Sequence, residues 1–417
     1  MSAQTVTISR LGAQGDGIAH TDQGPLYVPF ALPGETVSVA RVKNQGTLIS
    51  LLTPSPERQA PACRHFGPDG VNGTCGGCTL QHLKDAPYHA FKRNLVIEAL
   101  KAKSIEIDVD PLVVAHPGER RRLALAARRT EKDMLLGFNQ AETHHIVDIQ
   151  ECPIAAPAIV ARLETIRAIA KMLATSADAF RITVLETPAG LDLAFEGLKP
   201  LSDKQRRAGI ETVLAQRGIA RVSVNGEILV EPVKPVIDFG GASVTPPPGA
   251  FTQATKPAED AMANLVIAHV GKAKRIADLF AGAGTFTLRL ARIGRVHAAE
   301  SDDKALKALD HGARNTQGLK PVTVEKRDLF RRPLTAQELK VFDAVVFDPP
   351  RAGAEAQVKE IARSGVKKIV AVSCNPLTLA RDLAILIEAG YRLTRVIPID
   401  QFLWSPHVEA VAVLEKA

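Results

Sequence analysis

RIADLFAGAGTFTLRLA, residues 275–291, decides how the rest of the chain is read. An apolar run ends at Asp278-Leu279-Phe280, a turn spaced by Gly282 and Gly284 follows, and a helical stretch begins. Strand, glycine turn and helix form the unit that lets a backbone approach a nucleotide-type ligand closely. A dinucleotide site would carry a third glycine near position 287, where Thr287 stands. Glu300 closes the next apolar run, 18 residues after Gly282, where a carboxylate can bind a ribose hydroxyl pair. A plain tight turn is the bland alternative.

Working outward, strands are expected at RVHAAES (295–301), VTVEKRDL (322–329), FDAVVFDPP (342–350), KKIVAVSC (367–374), TRVIPID (394–400) and VEAVAVLE (408–415). Most are apolar with little alternation, as in strands covered on both faces. Helical stretches such as DDKALKALDHGARN (302–315) lie between them, so a doubly wound α/β domain is expected over residues 241–417. Residues 1–55 hold short β-branched runs between Gly, Asp and Pro turns, which suits a small barrel of the oligonucleotide-binding kind. TPSPERQAP (53–61) reads as a linker, and residues 56–240 as a mixed α+β domain with a helix near YHAFKRNLVIEALKAK (88–103).

Composition sets the class. The chain has 417 residues, 46% of them hydrophobic and 23% charged, which excludes a disordered protein. The start lacks a basic segment followed by an apolar run, and no apolar stretch reaches about 18 residues. A cytoplasmic, membrane-free monomer is therefore expected. The net charge of +7 suits a polyanionic partner, because neutralised phosphates release counterions.

A second constellation carries the chemistry. FDAVVFDPPRAG ends a strand at Asp348, and Pro349 and Pro350 fix the chain just beyond it. Ligands of open α/β sheets sit at such carboxyl ends. Asp-Pro-Pro resembles the motif with which methyltransferases hold a planar amino or amide group. Arg351 follows where amine methylation usually has a stacking aromatic, which argues against that reaction. Cys374 ends the next strand at Ser-Cys-Asn-Pro, at the sheet's catalytic edge rather than mid-strand, where cysteine is ordinary filler. Carbon 5 of a pyrimidine is a poor nucleophile until a thiolate adds to carbon 6. A base must afterwards remove the carbon 5 proton so that the thiolate can leave. His407 and Glu409, near the start of the last strand, share a face by its period of two, and Glu409 is the candidate base. An exposed edge carboxylate is its bland alternative.

DLFAGAG, DPPRAG, SCNPLTLARDL and HVE, in this order and spacing, resemble the RNA uracil-5-methyltransferases across the whole chain. The resemblance implies a class I, Rossmann-like S-adenosylmethionine-dependent domain. It implies Cys374 as nucleophile, Glu409 as base and Asp348 as the group that binds uracil and steadies its enolate. AFTQA (250–254) resembles the family's Phe-x-Gln segment, making Gln253 a cofactor and active-site contact. Phe280, Gly282, Gly284 and Asp348 would line the cofactor, Glu300 its ribose and Asp328 its adenine. Two departures stand out: Ala281 where Cys is common, and FLWSPHVE (402–409) in place of the usual closing stretch. Trp404 is read either as a base-stacking or as a packing residue.

Of five cysteines, Cys63, Cys75, Cys78 and Cys152 read C-x11-C-x2-C-x73-C. In a reducing compartment such a set indicates a metal, and four thiolates suit structural zinc or an iron–sulfur cluster alike. The branch of the family that acts on ribosomal RNA carries a [4Fe-4S] cluster at cysteines placed like these, and an N-terminal TRAM domain. The resemblance thus implies 23S ribosomal RNA as partner, a TRAM domain over 1–55 and a cluster in the 56–240 domain. The alternatives are the same chemistry on transfer RNA, and a silent cluster-bearing RNA-binding protein. Arg120, Arg121, Arg122, Arg128 and Arg129 form either a solvated strand edge or a phosphate contact.

Overall fold

The structure is a computed structural model that describes residues 3–141 and 143–416. Positions 1, 2 and 417, at the outer limits of the expected first and last domains, lie outside the described residues.

Ile276, Ala277 and Leu279 of the Arg275–Leu279 strand are all fully buried, as expected of a strand covered on both faces. It founds a seven-stranded sheet whose strands, in chain order, are Arg275–Leu279, Arg295–Glu300, Val322–Lys326, Ala344–Phe347, Lys368–Ser373, Tyr391–Ile399 and Glu409–Lys416. In space they run third, second, first, fourth, fifth, seventh, sixth. The strand order reverses between the first and fourth strands, so a crevice opens at their carboxyl ends. Helices Lys256–Val270 on one face, and Glu355–Ser364 and Pro376–Glu388 on the other, cover the sheet.

The seventh strand inserts antiparallel between the fifth and sixth. Its amino end therefore falls on the same edge as the carboxyl ends of the parallel strands. Ser373 pairs with Ala410, and one further step of that register brings Cys374 opposite Glu409.

Residues 3–53 form a six-stranded sheet around Ile8, Leu26, Val28, Val37 and Val39. A second seven-stranded sheet runs from Glu227–Val230 at one edge to Ile146–Asp148 at the other. Helices Leu163–Leu173 and Asp203–Leu214 pack beside it. The basic segment lies inside this sheet, because Arg122–Arg129 pairs with Phe180–Thr187 on one side and Met134–Asn139 on the other. It is not a sheet edge.

The helix expected near 88–103 spans Asp85–Lys101, and its Val96, Ala99 and Leu100 join the core of the catalytic sheet. The chain after it continues along the sixth strand, with Asp110 N–H donating to Val396 O and Val113 N–H to Pro398 O, both at 2.9 Å. Among the described residues no helix is long and apolar enough to cross a membrane.

Candidate active site

One pocket of about 500 Å³ opens at the carboxyl edge of the catalytic sheet. Its lining includes Gln253, Phe280, Gly282, Glu300, Asp328, Asp348, Cys374 and Glu409, so residues spread over more than 150 positions meet in one place.

At the cofactor end, Phe280 takes a left-handed conformation (φ 61°) and turns the chain out of the first strand. Gly282 follows at φ 53°, and a Cβ built there would meet nothing within 4 Å, which leaves an open cradle beside the backbone. Gly282 N–H donates to Glu300 Oε2 at 3.0 Å, while Ser301 and Asp302 N–H donate to Glu300 Oε1 at 2.6 and 2.8 Å. This carboxylate is thus fixed where a ribose diol can donate to it. Asp328 accepts from Phe330 N–H at 3.0 Å, and the rings of Phe280 and Phe330 lie 5.5 Å apart, the makings of an aromatic slot. These residues fit S-adenosylmethionine. Gly284 is set apart from them. It does not line the pocket; a Cβ there would lie 3.0 Å from Leu309 and 3.2 Å from Leu288, so its glycine serves helix packing.

At the reaction end, Asp348 follows the fourth strand and accepts from Gln253 Nε2 at 3.0 Å. Burial pushes its carboxyl up to about 7, which the Gln253 bond only partly offsets. Cys374 is half-buried between Ser373 and Asn375. The Asn375 side chain caps the Pro376–Glu388 helix through Leu377 N–H, and its Nδ2 donates to Arg351 O at 3.0 Å. That bond ties the Asp-Pro-Pro-Arg loop to the cysteine loop. Burial first, then the charges of Glu409 and Asp348, push the Cys374 thiol up to about 11, against the pull of Arg351.

Glu409 is 2% exposed, which removes the edge-carboxylate alternative. Burial, and then Asp348, push it up to about 8. His407 lies in the loop ahead of the last strand; its Nδ1 accepts from Arg351 at 3.0 Å. Burial, and then Arg351, Lys92 and Arg120, push it down to about 4, so it stays neutral near pH 7.

Sequence reasoning missed Gln401, a buried amide bonded to both Glu409 and Gln253. Its one signal is a polar residue just beyond an apolar strand. Lys92 and Tyr88 were also missed. Lys92 is fully buried, pairs with Asp400 at 3.1 Å and donates to the carbonyls of Phe402, Ser405 and His407. Tyr88 donates to Asp400 at 2.6 Å and accepts from Trp404 N–H at 2.8 Å. Together they pin the loop that carries Gln401 and His407. Trp404 is 7% exposed and packs with Leu80, Tyr88 and Cys78, so it is a packing residue.

Cys63, Cys75, Cys78 and Cys152 face one small cavity, together with Phe66, Phe138 and Ile154. Among the described residues no three His, Cys, Asp or Glu side chains are grouped tightly enough to hold a single metal ion. Burial above all pushes the four thiols up, Cys152 to about 12, and their mutual repulsion adds to this for Cys75, Cys78 and Cys152. A thiol set with an apolar lining fits an iron–sulfur cluster chemically. Arg120 runs between the two sites: its guanidinium lies 5.5 Å from the Phe402 ring, burial pulls it below the usual arginine range, and Cys152 and Cys78 are among its electrostatic neighbours. Arg122 stacks 5.2 Å from Phe251, whose side is 72% exposed at the pocket mouth.

Strand order, crevice and cofactor cradle define a class I S-adenosylmethionine-dependent methyltransferase. A tRNA (uracil-5-)-methyltransferase family model matches residues 242–417, and a TRAM domain model matches residues 2–43. An uncharacterized RNA methyltransferase of Rhizobium meliloti is 72% identical over the full length of both chains. The 23S rRNA (uracil(1939)-C(5))-methyltransferase of Pectobacterium atrosepticum is 31% identical, covering 98% of this chain and 92% of its own. The solved tRNA (uracil-54, C5)-methyltransferase of Pyrococcus abyssi, bound to S-adenosyl-L-homocysteine, superposes with a TM-score of 0.75 at 26% identity, over 98% of this chain and 99% of the other. The chain belongs to the S-adenosylmethionine-dependent RNA (uracil-5-)-methyltransferases, with an N-terminal TRAM domain.

Proposed function

We propose that this enzyme makes 5-methyluridine in 23S ribosomal RNA through a covalent Cys374–uracil adduct. The observation that carries the reading is the meeting of Cys374, Asp348 and Glu409 in one pocket with the cofactor cradle. Asp348 and Gln253 bind the edge of a uracil taken out of its stack. Cys374 adds to carbon 6, and Asp348, which burial favours in its protonated form, donates toward the oxygen where enolate charge develops. S-adenosylmethionine, when bound, supplies an electrophilic methyl group to carbon 5. Glu409 then removes the carbon 5 proton, the C–H electrons restore the 5,6 double bond, and the Cys374 sulfur leaves. Glu300 orients the cofactor ribose and Asp328 its adenine.

The four remaining cysteines would hold a [4Fe-4S] cluster in a central domain of residues 56–240, between a TRAM domain at 1–55 and a catalytic domain at 241–417. A single zinc ion is the weaker fit, given that the thiols surround a cavity without grouping around one point. Work on ribosomal RNA is supported by the 31% identity to the Pectobacterium enzyme, and such a substrate goes with a cytoplasmic protein. The likeness to the Pyrococcus enzyme favours transfer RNA as the second reading.

The test uses protein purified without oxygen, methyl-labelled S-adenosylmethionine, and unmodified 23S and transfer RNA transcripts. Label digesting to 5-methyluridine in the ribosomal transcript alone is expected, with none from Cys374→Ala. Label in the transfer RNA alone would overturn the substrate, and activity of Cys374→Ala would overturn the mechanism.

A further inference from the structure

The amide of Gln401 lies between the two carboxyls of the pocket. Its own surroundings fix its orientation. Ala254 N–H lies 2.9 Å from one side of the amide, and a backbone N–H can only donate, so that side is Oε1. Nε2 therefore faces the other way and donates both hydrogens, to Glu409 Oε2 at 2.5 Å and to Gln253 Oε1 at 2.9 Å. The orientation then propagates. With its oxygen engaged by Gln401, Gln253 must turn Nε2 to Asp348, and that bond is present at 3.0 Å.

One backbone N–H thus sets the direction of a four-membered chain, Glu409–Gln401–Gln253–Asp348. Both ends of it accept. All three residues besides Asp348 are nearly inaccessible, at 2%, 2% and 4% exposure for Gln401, Glu409 and Gln253. The backbones are held as firmly. Asp400, just ahead of Gln401, is gripped by Lys92 and Tyr88. Gln253 O accepts from Arg121 Nε at 3.2 Å, and Arg121 in turn pairs with buried Glu259 at 2.5 Å.

We infer that Gln401 is the positioning residue of the proton-removal step: its amide favours the ionised form of Glu409 and aims it, and locks Gln253 with its donor toward Asp348. The inference rests on the reading of Glu409 as the base. A donor to the charged form of a buried carboxylate favours that form. The groups that bear on Glu409 besides Gln401 are Asp348 and Cys374, with Arg351 and His407 on the same pocket wall and Arg120 over Phe402. Only the Gln401 amide donates a hydrogen bond to Glu409 among the described contacts.

The chemistry separates this role from a structural one, because methyl transfer precedes proton removal. The protein is given RNA tritiated at uridine carbon 5 together with methyl-labelled S-adenosylmethionine, and single-turnover methyl transfer and tritium release are followed in parallel. Gln401→Met keeps the length and loses the donor. It should slow tritium release ~10- to 100-fold while methyl transfer changes far less. A methylated RNA–protein complex should persist through denaturation, and the pH dependence of tritium release should move to higher pH. Gln401→Glu can still accept from Ala254 but sets a second carboxylate against Glu409; its tritium release should be slower still at high pH. Melting temperature and S-adenosylmethionine binding check that both variants fold. Tritium release at the wild-type rate in Gln401→Met overturns the inference. So does an equal fall of both rates with an unshifted pH profile, which marks a structural role. Wild-type tritium release in Glu409→Gln would instead remove Glu409 as base, and the inference with it.

Discussion

At Glu409 and Asp348, burial sets activity and stability against each other. Burial raises both carboxyls, to about 8 and about 7, above the usual carboxylate range near 4. A carboxyl whose folded pKa is raised contributes stability that is complete below its unfolded value and lost as pH rises through the folded one. Proton removal, in contrast, needs Glu409 ionised. The proton-removal step, read as tritium release from uridine carbon 5 after methyl transfer, should therefore climb between about pH 6.5 and 8.5, over the range where ionisation of Glu409 costs the fold stability. In Glu409→Gln the melting temperature should fall less across that range than in the parent, and a scanning series at matched ionic strength measures it. A steeper fall in the variant would contradict the raised pKa.

Two elements hold the catalytic groups, each by a local device. The Pro376–Glu388 helix begins on an Asn375 cap with Pro376 in its first turn, where the missing N–H costs nothing. Asn375→Ala should cost about 0.5–2 kcal/mol. Because Asn375 also bonds Arg351 O at 3.0 Å, the variant should slow adduct formation as well, read as the rate of denaturation-resistant RNA–protein complex. The Asp85–Lys101 helix holds the 400–407 loop through Lys92. Lys92→Met would leave Asp400 buried without its Lys92 partner, with Tyr88 and Phe402 N–H as its remaining hydrogen-bond donors among the described residues. Loss of one partner of a buried pair typically costs about 3–5 kcal/mol. The urea midpoint should drop accordingly, whereas Tyr88→Phe should cost roughly 1–2 kcal/mol.

For the whole molecule, the pocket mouth is where the central sheet meets the catalytic one. Arg122 over exposed Phe251 and Arg120 over Phe402 bring positive charge to that rim. RNA affinity should fall with salt, and Arg122→Ala should weaken binding on all sequences alike while lowering the salt slope by about 1. Binding titrations at several salt concentrations check both. The thiol cavity adjoins the same loop, since Thr79 and Leu80 N–H donate to Trp404 O at 2.8 and 3.0 Å. Anaerobically purified protein should carry about four irons per chain. Cys78→Ser should lose the iron, and its effect on the 400–407 loop should appear as weaker RNA binding or slower turnover.

The catalytic sheet was legible because its strands are apolar runs of the right length with glycine or proline punctuation, and period and turn chemistry are local properties. The candidates for nucleophile, uracil-binding acid and ribose carboxylate could be picked out for the same reason: each ends a strand, and the carboxyl ends of parallel strands share an edge. Tertiary structure decided what no local pattern encodes. The antiparallel insertion of the last strand turned Glu409 from an ambiguous edge residue into a buried group opposite Cys374. The Asp85–Lys101 helix joined the catalytic core because its Val96, Ala99 and Leu100 found their partners there, against the Pro376–Glu388 helix and the Tyr391–Ile399 strand far along the sequence. The run from Arg120 to Arg129 divided into a buried pair, pocket-rim stacks and helix contacts according to which neighbours the sheet supplied. Gln401 acquired its place only when Ala254, Gln253 and Glu409 closed around it. Hydrogen bonds between distant segments leave no period in the sequence, and the fold alone brings their donors and acceptors within reach.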